Sequence, residues 1–442
     1  MERLGLVLDA VEAGDAARID SLLDPLHAAD VADILEQISP AQREDLLALW
    51  HGGVDGELLS EIDDSIRESV IESLPEAVVA EAMRELDTDD VVDILEDLDE
   101  PAQEKILEAL EDADRVAVEQ ALSYPEYSAG RLMQRETVVA PEHWNVGEAI
   151  DWLRSSQALP DQFYHVILID PRLRPVAYVT LGRILSAPRD TPLREIAEES
   201  FRTVRATDPE ADVAWIFNQY HLISCPVVDQ GGRLVGVITI DDAMNVLDEE
   251  HEEDMLRLAR VGDESSIQDG VWETVKSRIP WLFVNLITAN VSALVIGLFD
   301  GTIAQIVILA ALMPIIASMG GIAGTQSLTI AVRALASRDL TGANAMRVVR
   351  REALVGVVNG LSFAVLMGAV GWFVLGLPML GAVLAMAMII NLCVAALAGI
   401  LVPLAMDRMG FDPALASGTF VMTVTDVVGF FAFLGLASVL LL

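Results

Sequence analysis

The last third of the chain holds five apolar segments, at about 280–299, 303–332, 354–376, 378–406 and 414–442. Each is long enough to cross a hydrocarbon core about 30 Å thick at about 1.5 Å of rise per residue. This predicts five transmembrane helices. The basic residues place the loops. Lys276 and Arg278 precede the first segment, Arg333, Arg338, Arg347, Arg350 and Arg351 lie between the second and third, and Arg408 lies between the fourth and fifth. The other two loops have none. Excess positive charge stays on the cytosolic side, so the N-terminus is expected in the cytosol and the C-terminus outside.

Asp426 is the one carboxylate inside these segments, in TFVMTVTDVVGFFAFLGLASVLLL, and no basic residue lies in any span to pair with it. A charge at bilayer depth costs roughly 3 kcal/mol on insertion scales, so such residues face a bundle interior or a water-filled path. The position points to a cation route. The alternative is a protonated Asp hydrogen-bonded to a neighbouring helix.

The charge is unevenly divided. Residues 271–442 hold seven acids and eight bases, which leaves residues 1–270 with 61 of the chain's 68 acids and 20 of its 28 bases. Such a polyanion attracts divalent cations and repels nucleic acid, although solubility or a saline habitat also accounts for an acid excess. Cys225 and Cys393 have no metal-ligand spacing and cannot form a disulfide framework. Residues 1–18 lack a basic start followed by an apolar run, so no signal peptide is expected.

Residues 1 to about 130 read as short amphipathic helices, with Val31, Ile34, Leu35 and Ile38 at helical spacing. ADVADILEQISPAQREDLLAL (29–49) is repeated as DDVVDILEDLDEPAQEKILEAL (89–110) with one residue inserted. Stacked helical hairpins fit that repeat. Residues 134–250 read as two copies of a βαββα module. Its paired strands are 163–170 with 175–181, and 224–229 with 233–241, each pair following a helix-like stretch (146–157, 210–221). An acidic helix is expected over 242–262.

The second span contains PIIASMGGIAGTQSLTIAVRALA. Gly320, Gly321 and Gly324 permit close helix contact or expose backbone to a pore, and Gln326 adds an amide. Simple small-residue packing is the alternative. Pro314 followed by GGxAGTQS, RIPWLFVNLITA at 278–289, DPALASG…TxxD at 412–426 and YPEYSAGRLM at 124–133 together resemble the MgtE family of magnesium channels, over essentially the whole chain. One departure is Ile322, where the family usually has Asn.

The resemblance implies a homodimer with its pore at the subunit interface and a metal position at Asp426, duplicated across the two-fold axis. It also implies a second metal position at Asp412, which reads equally as an N-cap with Pro413 at N1. Mg²⁺ sheds its waters reluctantly, so paired carboxylates suit the hydrated ion. A magnesium sensor is implied at Glu57, Asp89 and Asp93 of the N domain with Asp242, Glu250, Glu253 and Asp254 of the following parts. Asp89 and Asp93, and Glu250 and Asp254, are four apart and share helix faces. A solvated acidic face is the alternative for each. Asn245 and His221 stand where the family commonly has acids. Gly236, Thr239 and Asp242 match the nucleotide-ribose pattern of CBS domains, whereas the first copy has Thr180 but Arg183 in place of the acid. This implies ATP or another adenine nucleotide at one site per chain at most, against a purely structural CBS pair.

The expected architecture is a multidomain membrane protein. An α-helical N-terminal superhelical domain (1–130) precedes an α/β tandem CBS pair (131–250), a connecting plug helix (251–275) and a five-helix α transmembrane pore domain (276–442). The expected function is uptake of Mg²⁺ across the cell (inner) membrane, gated by cytosolic Mg²⁺, with small ions, membrane lipid and a second copy of the chain as partners. The rivals are a divalent transporter preferring Mn²⁺ or Co²⁺, and a magnesium or nucleotide sensor that transports nothing. No catalytic constellation or phosphate-binding loop stands out, so an enzyme is not expected.

Overall fold

The computed structural model describes residues 2–50, 53–96, 98–156, 159–160, 162–198, 200–261 and 270–442. Residues 262–269 of the expected connecting element lie outside these. The described residues form two compact units, Met1–Glu250 and His251–Leu442.

The first unit begins with α1 (Glu2–Ala13), α2 (Ala16–Leu23), α3 (Ala28–Gln37), α4 (Pro40–Trp50), α5 (Gly56–Glu61), α6 (Asp64–Ser73), α7 (Glu76–Glu85), α8 (Thr88–Glu96), α9 (Glu100–Ala109) and α10 (Asp112–Leu122). The helices are short because caps interrupt them. Asp15, Asp55, Asp63 and Asp99 each accept a hydrogen bond from a first-turn backbone N–H. Isolated helices of this length are marginal in water, so their apolar faces must stack.

The sequence repeat is also a packing repeat. Val31, Ile34 and Leu35 are buried on α3, and Val91, Ile94 and Leu95 are buried on α8. Arg43 Nε donates to the Leu35 carbonyl at 3.0 Å, and Gln103 Nε2 donates to the Leu95 carbonyl at 2.8 Å. In both copies a side chain on the second helix thus closes the C-terminus of the first.

Two three-stranded sheets follow, with one topology. β1 (Val139–Pro141) runs parallel to β2 (His165–Ile169), which pairs antiparallel with β3 (Pro175–Thr180). β4 (Val204–Arg205), β5 (Ser224–Val228) and β6 (Leu234–Thr239) repeat this order. The parallel step needs a crossover, supplied by α11 (Val146–Ser155) and α13 (Glu210–Tyr220). The hairpins turn alike: Asp170 Oδ1 accepts from Arg174 N and Asp229 Oδ1 from Arg233 N, both at 2.8 Å. α12 (Leu181–Ser186) follows β3, and α14 (Ile240–Ala259) follows β6.

The second unit contains the end of α14, then α15 (Val271–Gly297), α16 (Asp300–Gln305), α17 (Ile308–Ala336), α18 (Ala345–Ala369), α19 (Pro378–Arg408) and α20 (Pro413–Leu440). Five of these are long and apolar enough to cross a membrane. α19 is apolar on all sides and packs against α17, α18 and α20, with Val383, Leu384, Ala387 and Met388 fully buried. α15 buries little within the chain and exposes Leu282, Phe283, Leu286 and Leu294.

Two boundaries differ from expectation. The second span begins at Ile308, because residues 300–305 form the separate helix α16. The third begins at Ala345 rather than 354. Asn344 accepts from Thr341 N and donates to the Asp339 carbonyl, which closes the loop and starts the helix early. Hydropathy alone excludes Arg347, Arg350, Arg351 and Glu352 from a span, whereas local turn chemistry puts them in the helix.

Candidate functional site

Asp412 is the N-cap of α20, accepting from Ala414 N at 2.7 Å with Pro413 in the first turn. Its other oxygen, Oδ2, lies 3.1 Å from Arg257 Nη1 on α14, and Arg257 Nη2 lies 2.7 Å from Glu253 one turn back on the same helix. The capping role and an ion pair are therefore combined at one carboxylate. The guanidinium bridges two acids for which the family resemblance implies metal roles.

Gly418, Met422 and Asp426 recur every four residues and form one stripe along α20. Arg260, just past the end of α14, packs against this stripe at Gly418 and Met422. A Cβ on Gly418 would meet its guanidinium, and its Nη2 is 3.7 Å from Met422 Sδ. Asp426 is half-buried one turn further on, about 12 Å along the axis from Gly418. Among the described residues no basic side chain pairs with Asp426. Arg257 and Arg260 were missed from sequence; the i, i+4 spacing of Glu253 and Arg257 was the one available signal.

The four residues of the glycine motif do not share a face. Gly320 and Gly324 are buried, and a Cβ on Gly324 would lie 2.8 Å from Val421 Cγ1 on α20. A Cβ on Gly320 would collide with Asn391 of α19. Close packing is thus the work of these two. Nothing lies within 4 Å of a Cβ on Gly321, and Gln326 is exposed, as is Ile322. One turn beyond, Ser327 Oγ donates to Glu352 Oε2 of α18 at 3.1 Å, both buried. Glu352 is another acid inside a helix of membrane-spanning length, and hydropathy misses it because the third apolar segment begins at about 354.

In the first unit, the N-terminal turn of α8 meets that of α14. Asp89 is buried, and burial pushes its carboxyl well above the usual carboxylate range, with Asp242, Asp90 and Asp87 adding to the shift. Burial and then Asp242 push Asp90 up to about 7. Asp242 is pushed up to about 6 by burial, against the hydrogen bond from Thr239 Oγ1 at 2.6 Å. Carboxylates crowded out of water hold protons or attract a cation. The two helix N-termini offset part of this charge.

Asp93 is more open and pairs with Arg67 at 2.9 Å. Glu57 stands apart from the cluster, 3.5 Å from His27 with both side chains exposed. Glu250 is half-buried on α14 in this unit, while Glu253 and Asp254 belong to the second. Asp90 and Asp87 are additions that sequence reasoning did not single out. Among the described residues no three His, Cys, Asp or Glu side chains are grouped to hold a metal ion. Asp89, Asp90 and Asp242 are close enough to shift one another's protonation, without the grouping that direct coordination by three side chains requires.

The ribose pattern is engaged internally. Thr239 donates to Asp242, and Gly236 gives room to the backbone of Gln134, whose carbonyl would lie 2.7 Å from a Cβ there. A crevice of about 20 Å³ lies between the two sheets, lined by Phe163, His165, Ser224 and Thr239. Nucleotide-sized sites are roughly 300 Å³ or more, so binding requires it to widen. His165 Nδ1 is 2.6 Å from Ser224 Oγ, and burial pushes the imidazole down to about 4. In the first copy Arg183 donates to the Ile196 and Ala197 carbonyls and pairs with Glu198 at 3.1 Å.

Comparison with known proteins follows the same division. A family model described as the MgtE intracellular N domain matches residues 26–127, a CBS domain model matches 193–249, and the MgtE divalent cation transporter model matches 313–436. The chain is 33% identical over 322 residues to the magnesium transporter MgtE of Enterococcus faecalis, covering 73% of this chain and 71% of that protein. It is 32% identical over 327 residues to the magnesium transporter MgtE of Thermus thermophilus, covering 73% and 72%. A crystal structure of the cytosolic domain of the Mg²⁺ channel MgtE in complex with ATP matches with a TM-score of 0.51 and 27% identity, over 55% of this chain and 99% of that one. The chain, a multi-pass membrane protein with an N-terminal helical domain and a CBS pair, belongs to the MgtE family.

Proposed function

We propose that the protein is a Mg²⁺ channel of the cell (inner) membrane, with its N-terminus in the cytosol, acting as a homodimer. The observation that carries this reading is Asp426, half-buried in the middle of α20 with no basic partner among the described residues. A carboxylate there is tolerated when it faces a polar path. Two copies of it across a dimer axis would repel, and a passing hydrated cation relieves that repulsion. The exposed apolar side chains of α15 and α18 fit lipid or a second copy.

Gating is read from two sets of charges. Arg257 neutralises Asp412, and Arg260 places a positive charge on the stripe that leads to Asp426. A cation approaching Asp426 along that stripe meets the guanidinium first, so this arrangement fits a closed route. In the first unit, Asp89, Asp90 and Asp242 repel one another once ionised. Cytosolic Mg²⁺ bound among them holds α14 against α8; its loss frees α14, and with it Arg257 and Arg260. Mg²⁺ favours the closed state only by binding it more tightly than the open one. An adenine nucleotide bound between the CBS sheets would act on the same helix, since Thr239 and Asp242 lie at its start.

Flux into liposomes with Mg²⁺ varied on the cytosolic side tests the reading. Uptake that falls as cytosolic Mg²⁺ rises, and that disappears in Asp426→Ala, is expected. Full uptake in a folded Asp426→Ala protein refutes the route. A second reading, the same route with a preference for Mn²⁺ or Co²⁺, rests on Ile322, an apolar side chain exposed on α17. Competition between ions in the same assay decides between them.

A further inference from the structure

Asn391 is fully buried in the middle of α19, at a junction of three helices. Its Nδ2 donates to the Ile316 carbonyl of α17 at 2.7 Å, which identifies Oδ1 as the amide's acceptor end. That oxygen has no hydrogen-bond partner among the described residues. Two glycines make room for the amide. A Cβ on Gly320 of α17 would collide with it, and a Cβ on Gly429 of α20 would lie 3.0 Å from both its nitrogen and its oxygen. Gly429 is three residues from Asp426, so the amide sits one helical turn from that carboxylate.

This arrangement is costly for a simple brace. A buried carbonyl without a donor loses about 1–3 kcal/mol of solvation that nothing returns. An apolar side chain of similar volume would pack α17 against α20 without that loss. Both ends of the amide are packed, but only Nδ2 makes a hydrogen bond, which leaves Oδ1 a buried acceptor without a donor.

We propose that Asn391 is a positioning and specificity-determining residue for the cation at Asp426, its Oδ1 accepting a hydrogen bond from a water O–H. This rests on the channel reading above. The donor is either a water in the hydration shell of the ion or a water resident in the bundle that orders the shell. Either way, Asn391 favours an ion that keeps its waters, as Mg²⁺ does, over one that sheds them readily. Its Nδ2 ties α19 to α17 at Ile316, and Gly429 of α20 packs against the same amide, so the acceptor and the carboxylate are held at a set separation.

The test uses the full-length protein in liposomes, with Mg²⁺ uptake measured alone and against Mn²⁺. Asn391→Leu removes donor and acceptor at similar volume. It should raise the half-saturating Mg²⁺ concentration by about fivefold, the equivalent of one hydrogen bond, and narrow the preference for Mg²⁺. Asn391→Asp, which keeps an acceptor oxygen, should recover most of both. Gly429→Ala presses on the amide without changing it and should shift both values in the same direction; it carries the test if Asn391→Leu does not assemble. A shift larger for Mg²⁺ than for Mn²⁺ is expected, and an equal shift for the two ions overturns the assignment of specificity to Asn391. A fall in maximal rate alone, with half-saturation and ion preference unchanged, overturns the proposal and leaves Asn391 a brace. Absence of flux in the unmodified protein counts against the channel reading itself.

Discussion

Arg257 Nη1 lies 3.1 Å from Asp412 Oδ2, joining the end of α14 to the first turn of α20. The same guanidinium holds Glu253 at 2.7 Å, so one arginine is shared between two carboxylates. Both acids are partly exposed, which limits the stabilisation to what screened ion pairs give, on the order of 1 kcal/mol. A contact this weak can be made and broken, as the proposed gating requires. Arg257→Gln should therefore leave the thermal midpoint nearly unchanged, while raising uptake at cytosolic Mg²⁺ concentrations that close the unmodified channel. Unchanged inhibition by Mg²⁺ would remove Arg257 from the gate.

Arg260 makes a sharper prediction, because it lies on the Asp426 stripe. Arg260→Ala should give a channel that leaks at high cytosolic Mg²⁺, whereas Arg260→Lys should retain most of the block. Gly418→Ala should resemble Arg260→Ala, since its Cβ takes the space of the guanidinium. Tight closure in both Arg260→Ala and Gly418→Ala would show that the guanidinium is only packing.

The acidic cluster predicts a pH effect with a definite sign. Asp90 is pushed up to about 7, while an unfolded Asp titrates near 3.8. Between these values the folded protein keeps a proton that the unfolded chain has released. Stability from this group is therefore lost as pH rises through that window. In chelator, Asp90→Asn should gain stability relative to the unmodified protein as pH goes from about 5 to about 7.5. His165, lowered to about 4, has the opposite sign below its unfolded value, but it is common to both proteins and cancels. Added Mg²⁺ should reduce the difference. A pH-independent difference between the two thermal midpoints would exclude this cluster as a proton-holding site.

Glu352 and Ser327 form a buried hydrogen bond between α18 and α17. Glu352→Gln keeps the acceptor and should unfold at nearly the unmodified temperature. Glu352→Ala leaves the Ser327 hydroxyl without this partner and should cost about 1–3 kcal/mol. Detergent-solubilised thermal unfolding checks both, and equal midpoints for Gln and Ala would show that the bond does not matter.

Cys225 is fully buried in β5, and burial pushes its thiol up to about 12. The thiolate is the reactive form, so Cys225 should resist maleimide at neutral pH until the CBS unit opens. Rapid labelling of folded protein, read by mass spectrometry, would contradict the packing of this sheet.

Sequence alone determined what depends on local composition and period. Five spans follow from apolar length, although α18 starts early where Asn344 closes the preceding turn through Thr341 and Asp339, contacts that hydropathy does not contain. The N-domain repeat was legible because Val31, Ile34 and Leu35 match Val91, Ile94 and Leu95 at the spacing of one helix face. The two CBS copies were legible because alternating strands and turn residues recur. Asp426 stood out because an acid in an apolar run is costly wherever the helix packs.

Only the tertiary structure decided which polar groups meet. Asp89, Asp90 and Asp242 are about 150 residues apart along the chain, yet they crowd where two helix N-termini come together. Glu57, grouped with them by resemblance, stands with His27 instead. Arg260 reaches Gly418, and Asn391 fits between Gly320 and Gly429, through long-range packing that no window of sequence encodes. Burial and charge proximity are properties of the folded interior. A residue's type sets what it can do, and its neighbours across the fold set what it does.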